Sequence, residues 1–490
     1  MSKSLRPLAA VCALLAIGGC GQNGGQSTAN GGATAQAPGI TPEALQAAAQ
    51  DEPVRRFYEA RQWQSAWNEQ SAGQLTQALQ GATRHGLNPA EFTAQIGQGQ
   101  APVEREIALT KAALSYANAL AHGKTDPKRL FEVYTLPGNQ VDVPAGLAEA
   151  AGRGNAAEWI ESLAPQDEEY RALSQAYVQQ LQAAQPQQGG QQQGGQQAGN
   201  QQQTSGNQQA GSDGGAQPKQ KASQTRQAQN AAPEVPRDRA VILAVNLERR
   251  RWLAREAPAT RIDVNTAASF LRYMRDNQVA DQRVVVNGEP GWETPQLGSP
   301  IYRLVANPDW TVPESIERDE LADLSPAALQ RKHMERKNGR IVQMPGPDNA
   351  LGLVKLDMQN DEAIYLHDTP SKWAFQRPQR HLSHGCVRVN DAVGFARMLA
   401  EHGGKLAEFD QAMKNPQRET TFVGLDQQIP VRLLYHSAYL DNGRLLFVSD
   451  PYGWDAKVAE ALGLPVPPAS RINAATADQA RQKREGDVGP

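Results

Sequence analysis

Cysteine is nearly absent from these 490 residues: only Cys12, Cys20 and Cys386 occur. Two of them lie in an N-terminal stretch of export character, so the folded body keeps one thiol, and a disulfide framework within the chain is excluded. An excess of either charge is missing too, with 49 Lys and Arg against 52 Asp and Glu and a net charge of −3. Bulk electrostatics therefore selects neither nucleic acid nor a cation-rich partner. Aromatic residues make up 6% and apolar residues 39%, lean for a fully globular chain, so part of the length is expected to stay unfolded. No apolar run approaches the roughly 18 residues that a membrane-spanning helix needs. A chain of this length has room for two or three domains.

What the N-terminus does hold is an address. Lys3 and Arg6 precede ten apolar residues, Leu8 to Ile17, which is the core of a signal peptide and too short to span a bilayer. Ile17-Gly18-Gly19-Cys20 then resembles a bacterial lipobox, so residues 1–20 read as a lipoprotein signal segment with Cys20 as the lipidation site. Gly21 stands where an inner-membrane retention signal would place Asp, so the expectation is a periplasmic protein tethered to the outer membrane through its lipid alone.

Composition divides the remainder. Residues 21–39 are Gly, Gln, Ser, Thr and Ala, a flexible leash. From 40 to 184 the pattern is helical. Thr41-Pro42 reads as an N-cap followed by Pro at the first helical position, and Ile107, Leu109, Ala112, Ala113, Tyr116 and Leu120 form one apolar face that ends at His122-Gly123. Residues 185–232, rich in Gln and Gly, cannot bury enough apolar surface to offset chain entropy and are expected to be a disordered linker, about 40 Å end to end. From 233 to 465 the signal is β-type. Runs at 261–264, 283–286, 301–305, 353–356 and 363–366 read as strands, Asn287-Gly288 as a turn, and Asp391 to Glu401 as a capped helix. Asp441-Asn442-Gly443 reads as a hairpin turn, and 466–490 as a disordered tail. The segment 314–343, bracketed by Pro313 and Pro345, reads as a helical and then loop-like insertion, either a solvated surface loop or a lid.

The chemistry concentrates at Ser383-His384-Gly385-Cys386-Val387-Arg388. An inert core cysteine would sit among Val, Leu and Ala. This one has Gly and basic neighbours, which favour a reactive thiolate, and Gly385 allows a carbonyl to come close to backbone N–H donors. Upstream, Tyr365-Leu366-His367-Asp368 ends a strand with a histidine fifteen residues before that stretch, within reach if the chain folds back. One alternative is a zinc site from His381, His384 and Cys386, although a fourth ligand is missing. His85, His122, His333, His402 and His436 read as surface or packing residues without partners.

The histidine, the fifteen-residue gap and the Ser-His-Gly-Cys stretch resemble the signature of the L,D-transpeptidase family. Asn246 to Arg249, Thr294-Pro295, Asn307-Pro308 with Trp310, and Pro345 to Gly352 are similar to its large periplasmic members. Phe57-Tyr58, Arg61, Trp63, Trp67 and Asp126-Pro127 look like the helical scaffold domain of that group. The resemblance implies a multidomain protein: an all-α scaffold domain, the linker, and a β-rich catalytic domain with a capping insertion. No stretch is left for the small wall-binding module that many such enzymes carry. It further implies Cys386 as nucleophile and His367 as base, with no cofactor and no metal. Ser383, His384, Gly385, Arg388 and Tyr365 would hold the oxyanion or substrate, unless Arg388 braces the loop through ion pairs instead, and Tyr365, Trp310 and Trp373 would line the donor groove or serve in packing. Asp368 or a backbone carbonyl would orient His367. The implied partners are peptidoglycan stem peptides, a donor tetrapeptide and an acceptor amine, with carbapenem β-lactams as inhibitors. A cysteine peptidase acting on the same stem bond, or a non-catalytic wall-binding lipoprotein, are the competing readings.

Overall fold

The computed structural model describes residues 39–184 and 238–479, apart from 95, 98–99, 415–418, 471–472, 474 and 477. The signal peptide with Cys20, the leash and the Gln-rich linker expected from the sequence lie outside the described residues, as does the end of the tail.

The first body is helical, and local polar residues start its helices. Thr41, Asn68, Asn88, Asp126 and Asp142 each accept an N–H of the following turn. At its centre runs the helix Pro102–His122. The sequence suggests one apolar face, but the buried surface is wider than that: Ala108, Leu114, Ala117 and Ala121 are buried along with Ile107, Leu109 and Ala112, and only a narrow stripe with Ser115 and Asn118 stays exposed. Its many alanines let neighbouring helices approach most of its flanks. The helix stops at Gly123, φ 90°, where a Cβ would stand 2.6 Å from Trp252.

The second body is a nine-stranded mixed sheet. Its strands are β1 Arg261–Asn265, β2 Phe270–Arg275, β3 Gln278–Gly288 and β4 Gly298–Ala306, then β8 Val354–Met358, β9 Leu366–His367, β10 His381–Ser383, β11 Val387–Val389 and β12 Thr421–Leu434. The order is β10-β3-β11-β9-β8-β4-β12-β1-β2, and β2 also pairs with β3, so the pairing closes on itself with β10 attached at β3. The helix Ala392–His402, capped by Asp391, and the helix Leu406–Met413 bury Phe395, Leu399 and Phe409 against strand residues such as Ile262, Leu304, Leu356 and Leu433.

Three readings of the sequence need correction. Asn287-Gly288 is no hairpin turn: both residues lie in β3, and Asn287 Nδ2 instead donates to the Thr266 carbonyl and Ser269 Oγ. The turn on that side is Asp276-Asn277, with φ of 51° and 61°, joining β2 to β3. The second half of the insertion is not loop-like. It forms strands β6 Met334–Lys337 and β7 Arg340–Gln343 about Asn338-Gly339, with φ of 52° and 82°, and β7 also pairs with β5 Trp310–Thr311. Val312, Ile316, Leu321, Leu329, Met334 and Ile341 give it a small core of its own. The third is the helix Arg239–Trp252, absent from the sequence reading because its face toward the protein carries charges as well as apolar residues.

That helix joins the two bodies. Leu243 and Leu247 enter the helical core, while Val245 and Trp252 pack with Phe131, Tyr134, Tyr435 and Trp454. Between them, Glu248 and Arg251 form an ion pair with no exposed side-chain surface. Glu248 also accepts from the Thr125 N–H and hydroxyl at 2.7 Å each, and Arg251 donates to the His85 carbonyl and to the Tyr170 hydroxyl. Arg249 pairs equally deep with Asp455 on the helix Trp454–Ala461. No helix among the described residues is long and apolar enough to cross a membrane.

Removing one member of such a pair strands the other without solvent. Glu248→Ala should therefore lower unfolding stability by roughly 3–5 kcal/mol. A urea midpoint close to that of the unaltered protein would show that the pair holds nothing together.

Candidate active site

Two short parallel strands assemble the site. β11 pairs with β9 so that Val387 lies opposite Leu366 and Arg388 opposite His367. Side chains alternate across a strand. Leu366, Val387 and Val389 are 0% exposed and belong to the core, and the residues between them point the other way. Tyr365, His367, Cys386 and Arg388 thus share one face and line one cavity of about 1170 Å³. Arg303, Lys355 and Asp357 of β4 and β8 form its floor, while Trp310, Pro313, Glu314, Ile316 and Arg340 of the insertion form a wall.

Cys386 ends the three-residue connection between β10 and β11, both of which pair with β3. Gly385 before it has φ 107°, and a Cβ there would meet Ile364 Cδ1 at 3.3 Å. A side chain at this position would be strained, so glycine is required. Ser383 Oγ donates to the Cys386 carbonyl at 2.6 Å. The half-buried thiol lies 3.7 Å from the Ala363 carbonyl, and the Tyr365 N–H and hydroxyl are both within hydrogen-bonding reach of it.

His367 is oriented by a backbone carbonyl. Its Nδ1–H donates to the Asp368 carbonyl, which leaves the lone pair on Nε2. The Asp368 carboxylate turns elsewhere, accepting the Leu353 N–H at 3.0 Å and pairing with Lys372. Burial, aided by the charges of Arg388 and Lys355, depresses the imidazole to about 3. Burial also pushes the Cys386 thiol above its ordinary value. Both shifts disfavour a thiolate–imidazolium pair at rest, so near neutral pH the site holds a neutral thiol and a neutral imidazole ready to accept a proton.

The other expected residues separate into those gathered at the cavity and those left out. The Tyr365 ring packs edge-on to His367 at 5.6 Å, with the Lys355 ammonium 4.1 Å from its centroid. Burial lowers the affinity of the Arg388 guanidinium for its proton; Nε has no partner, and Arg388 makes no ion pair among the described residues. Its head therefore does not brace the loop. His384 packs edge-on against Trp292 at 4.9 Å and lines the cavity, as does Trp310. Trp373 is 56% exposed, outside the cavity lining and stacked under Arg377, so it does not contribute to the groove. His381 hydrogen-bonds the Thr266 carbonyl at 2.8 Å and packs on Tyr452, so the zinc alternative is not assembled. No group of three or more metal-ligating side chains exists among the described residues. His85 is not the partnerless residue expected, being buried beside Tyr170 and Glu161.

Sequence reasoning missed Lys355, Asp357, Arg303 and Trp292. The signal for the first two was the alternation of Lys355 and Asp357 about buried Leu356, which marks a strand with one polar face. Arg303 and Trp292 carried none.

A thiol and a buried neutral imidazole thus line one cavity, and the Gly385 and Cys386 N–H groups have no acceptor among the described residues. Residues 259–407 match the L,D-transpeptidase catalytic domain and residues 52–176 the Scaffold domain, so the chain combines these two domains. An inferred L,D-transpeptidase of Haemophilus influenzae is 30% identical over 223 residues, 40% of this chain and 45% of that protein. The chain thus spans under half of that relative's length. Among solved structures, the Ldtfm–avibactam carbamoyl enzyme is 14% identical, covering 36% of this chain and 49% of that one, with a TM-score of 0.20. A cysteine-to-serine mutant of the Enterococcus faecium L,D-transpeptidase is 13% identical over 36% and 50% of the two chains, with a TM-score of 0.18. Likeness at that level carries no argument about the fold.

The neutral resting pair has a measurable signature. Alkylation of Cys386 by iodoacetamide, read on its own peptide by mass spectrometry, should rise about tenfold per pH unit from pH ~6 to beyond the ordinary thiol value of about 8.5. A flat rate between pH ~5 and ~8 would instead reveal a preformed thiolate–imidazolium pair.

Proposed function

We propose that this protein is an L,D-transpeptidase of peptidoglycan. Cys386 attacks the carbonyl of meso-diaminopimelate at position three of a donor tetrapeptide stem and expels the terminal D-Ala. The resulting thioester is then transferred to an acceptor amine to give a 3→3 crosslink. The observation that carries this reading is the β9–β11 register, which sets the thiol and the imidazole on one wall of one cavity.

His367 Nε2 takes the thiol proton as the sulfur attacks, delivers a proton to the departing amine, and later deprotonates the acceptor amine. Because burial opposes a free thiolate, proton transfer accompanies attack. The Gly385 and Cys386 N–H groups, helped by the His384 ring, receive the oxyanion. Arg388, whose Nε has no partner and which makes no ion pair among the described residues, is suited to a carboxylate of the stem. The insertion wall supports a capping role over the donor, which excludes water while an amine displaces the thiolate. Carbapenems would acylate the same thiol. Cys20 would carry the lipid that holds the enzyme on the periplasmic side of the outer membrane.

Incubation with a tetrapeptide muropeptide tests this directly. The wild-type protein should yield 3→3 dimers, whereas tripeptide alone would make it a carboxypeptidase. Cys386→Ala should abolish dimers at a stability cost of only about 1 kcal/mol. His367→Ala should lower the rate by about 10²–10⁴. Dimer formation by Cys386→Ala within about tenfold of wild type would refute the nucleophile assignment.

The capping role makes its own prediction. Replacing residues 314–343 with a Gly-Ser bridge between Pro313 and Pro345 should raise the tripeptide-to-dimer ratio and weaken donor binding, while small β-lactams still acylate. Wild-type product ratio and donor affinity in that variant would reduce the segment to decoration.

A further inference from the structure

We propose that Thr294, braced by Tyr452, is the positioning residue that aims the Cys386 N–H into the catalytic cavity. The assignment rests on the acyl-transfer reading of Cys386. It begins from a freedom that the site has to remove. Gly385 has φ 107° and no side chain, so nothing in its own structure fixes the rotation of the Gly385–Cys386 peptide. Yet that peptide carries one of the two oxyanion donors.

Thr294 supplies the restraint. Its hydroxyl donates to the Gly385 carbonyl at 2.7 Å, and its single proton is committed there because the same oxygen accepts the Gly288 N–H at 2.9 Å. In a trans peptide the C=O and N–H point in opposite directions, and no cis bond occurs among the described residues. A carbonyl held toward Thr294 therefore turns the Cys386 N–H to the opposite side. That N–H has no acceptor among the described residues. The Ser383 hydroxyl on the Cys386 carbonyl fixes the next peptide, so the nucleophile is held from both sides.

Tyr452 holds Thr294 in turn. Its hydroxyl donates to the Gly288 carbonyl at 2.7 Å and accepts the Thr294 N–H at 3.3 Å. Thr294 is 0% and Tyr452 1% exposed, so water cannot replace either contact. The loop between them is closed tightly: a Cβ on Gly288 would stand 1.8 Å from the Trp292 carbonyl oxygen. Two hydroxyls thus tie the end of β3 to the catalytic loop, and neither residue lines the cavity.

This role separates two reactions of the same thiol. Acyl transfer passes through an oxyanion and needs the aimed N–H, whereas alkylation by iodoacetamide forms none and needs only the sulfur. In Thr294→Val, D-Ala release from a tetrapeptide muropeptide should fall about 100-fold in kcat, with KM and alkylation changed by less than about threefold. Thr294→Ser, which keeps the hydroxyl, should recover to within about threefold of wild type. Tyr452→Phe should lower D-Ala release without slowing alkylation, and it carries the test by itself should the valine variant fail to fold. Wild-type release in Thr294→Val, or release and alkylation falling together in the serine and phenylalanine variants, overturns the proposal. A wild-type protein that is alkylated but releases no D-Ala overturns the functional reading itself, and this assignment with it.

Discussion

Everything at the site depends on the parallel pairing of β9 with β11, two strands of two and three residues. A shift of one residue would turn Cys386 and His367 into the core and bring Leu366 and Val387 to the surface, because side chains alternate with a period of two. The core forbids that slip: Leu366, Val387 and Val389 are completely buried among Val354, Leu356 and Phe395. Catalytic alignment is thus enforced by apolar burial on the opposite face. Strands this short contribute few ladder hydrogen bonds, so the surrounding closed sheet holds their register, with β3 and β8 on their outer flanks.

The same burial sets the electrostatics. An exposed histidine and thiol in contact would share a proton freely. Here the protein withdraws water from both and leaves Arg388 and Lys355 as nearby positive charges, which penalises an imidazolium most of all. The Asp368 carboxylate, which could have stabilised that cation, is committed to Leu353 and Lys372, and only the neutral carbonyl of Asp368 faces the ring. A base depressed to about 3 is weak at rest, yet it is always unprotonated and correctly tautomerised when substrate arrives. On the proposed mechanism, the charge it acquires during attack is balanced by the oxyanion forming on the other side of the sulfur.

The sequence displayed much of this and concealed some of it for identifiable reasons. Cys386 and His367 stood out in the sequence as a thiol among basic neighbours and a histidine at a strand end, and the structure brings both to one cavity, the fifteen-residue gap matching the excursion from β9 to β11. The helical and β-rich halves were legible from periodicity. The helix Arg239–Trp252 was not, since Glu248, Arg249 and Arg251 are buried and their partners, Thr125, Tyr170 and Asp455, are remote in sequence. Two Asn-Gly pairs illustrate the limit of local signals. Asn338-Gly339 makes a hairpin, while Asn287-Gly288 stays in a strand because side-chain bonds to Thr266 and Ser269 hold it there. Thr294 carried no signal as a positioning residue, because its effect on Gly385 exists only once the chain has folded.

The scarcity of cysteine and the burial of this one belong to a single argument. A thiol ionised at rest is far more oxidisable than a neutral one, and no second cysteine among the described residues could protect it as a disulfide. Keeping it neutral costs intrinsic reactivity. On the proposed mechanism the cost is recovered only when a carbonyl sits where the backbone donors can stabilise its developing charge, since only then is moving the proton to His367 favourable. Selectivity would follow from the same condition. A molecule that cannot place an oxygen at the Gly385 and Cys386 N–H groups would meet a thiol, whereas a correctly seated stem would meet a nucleophile.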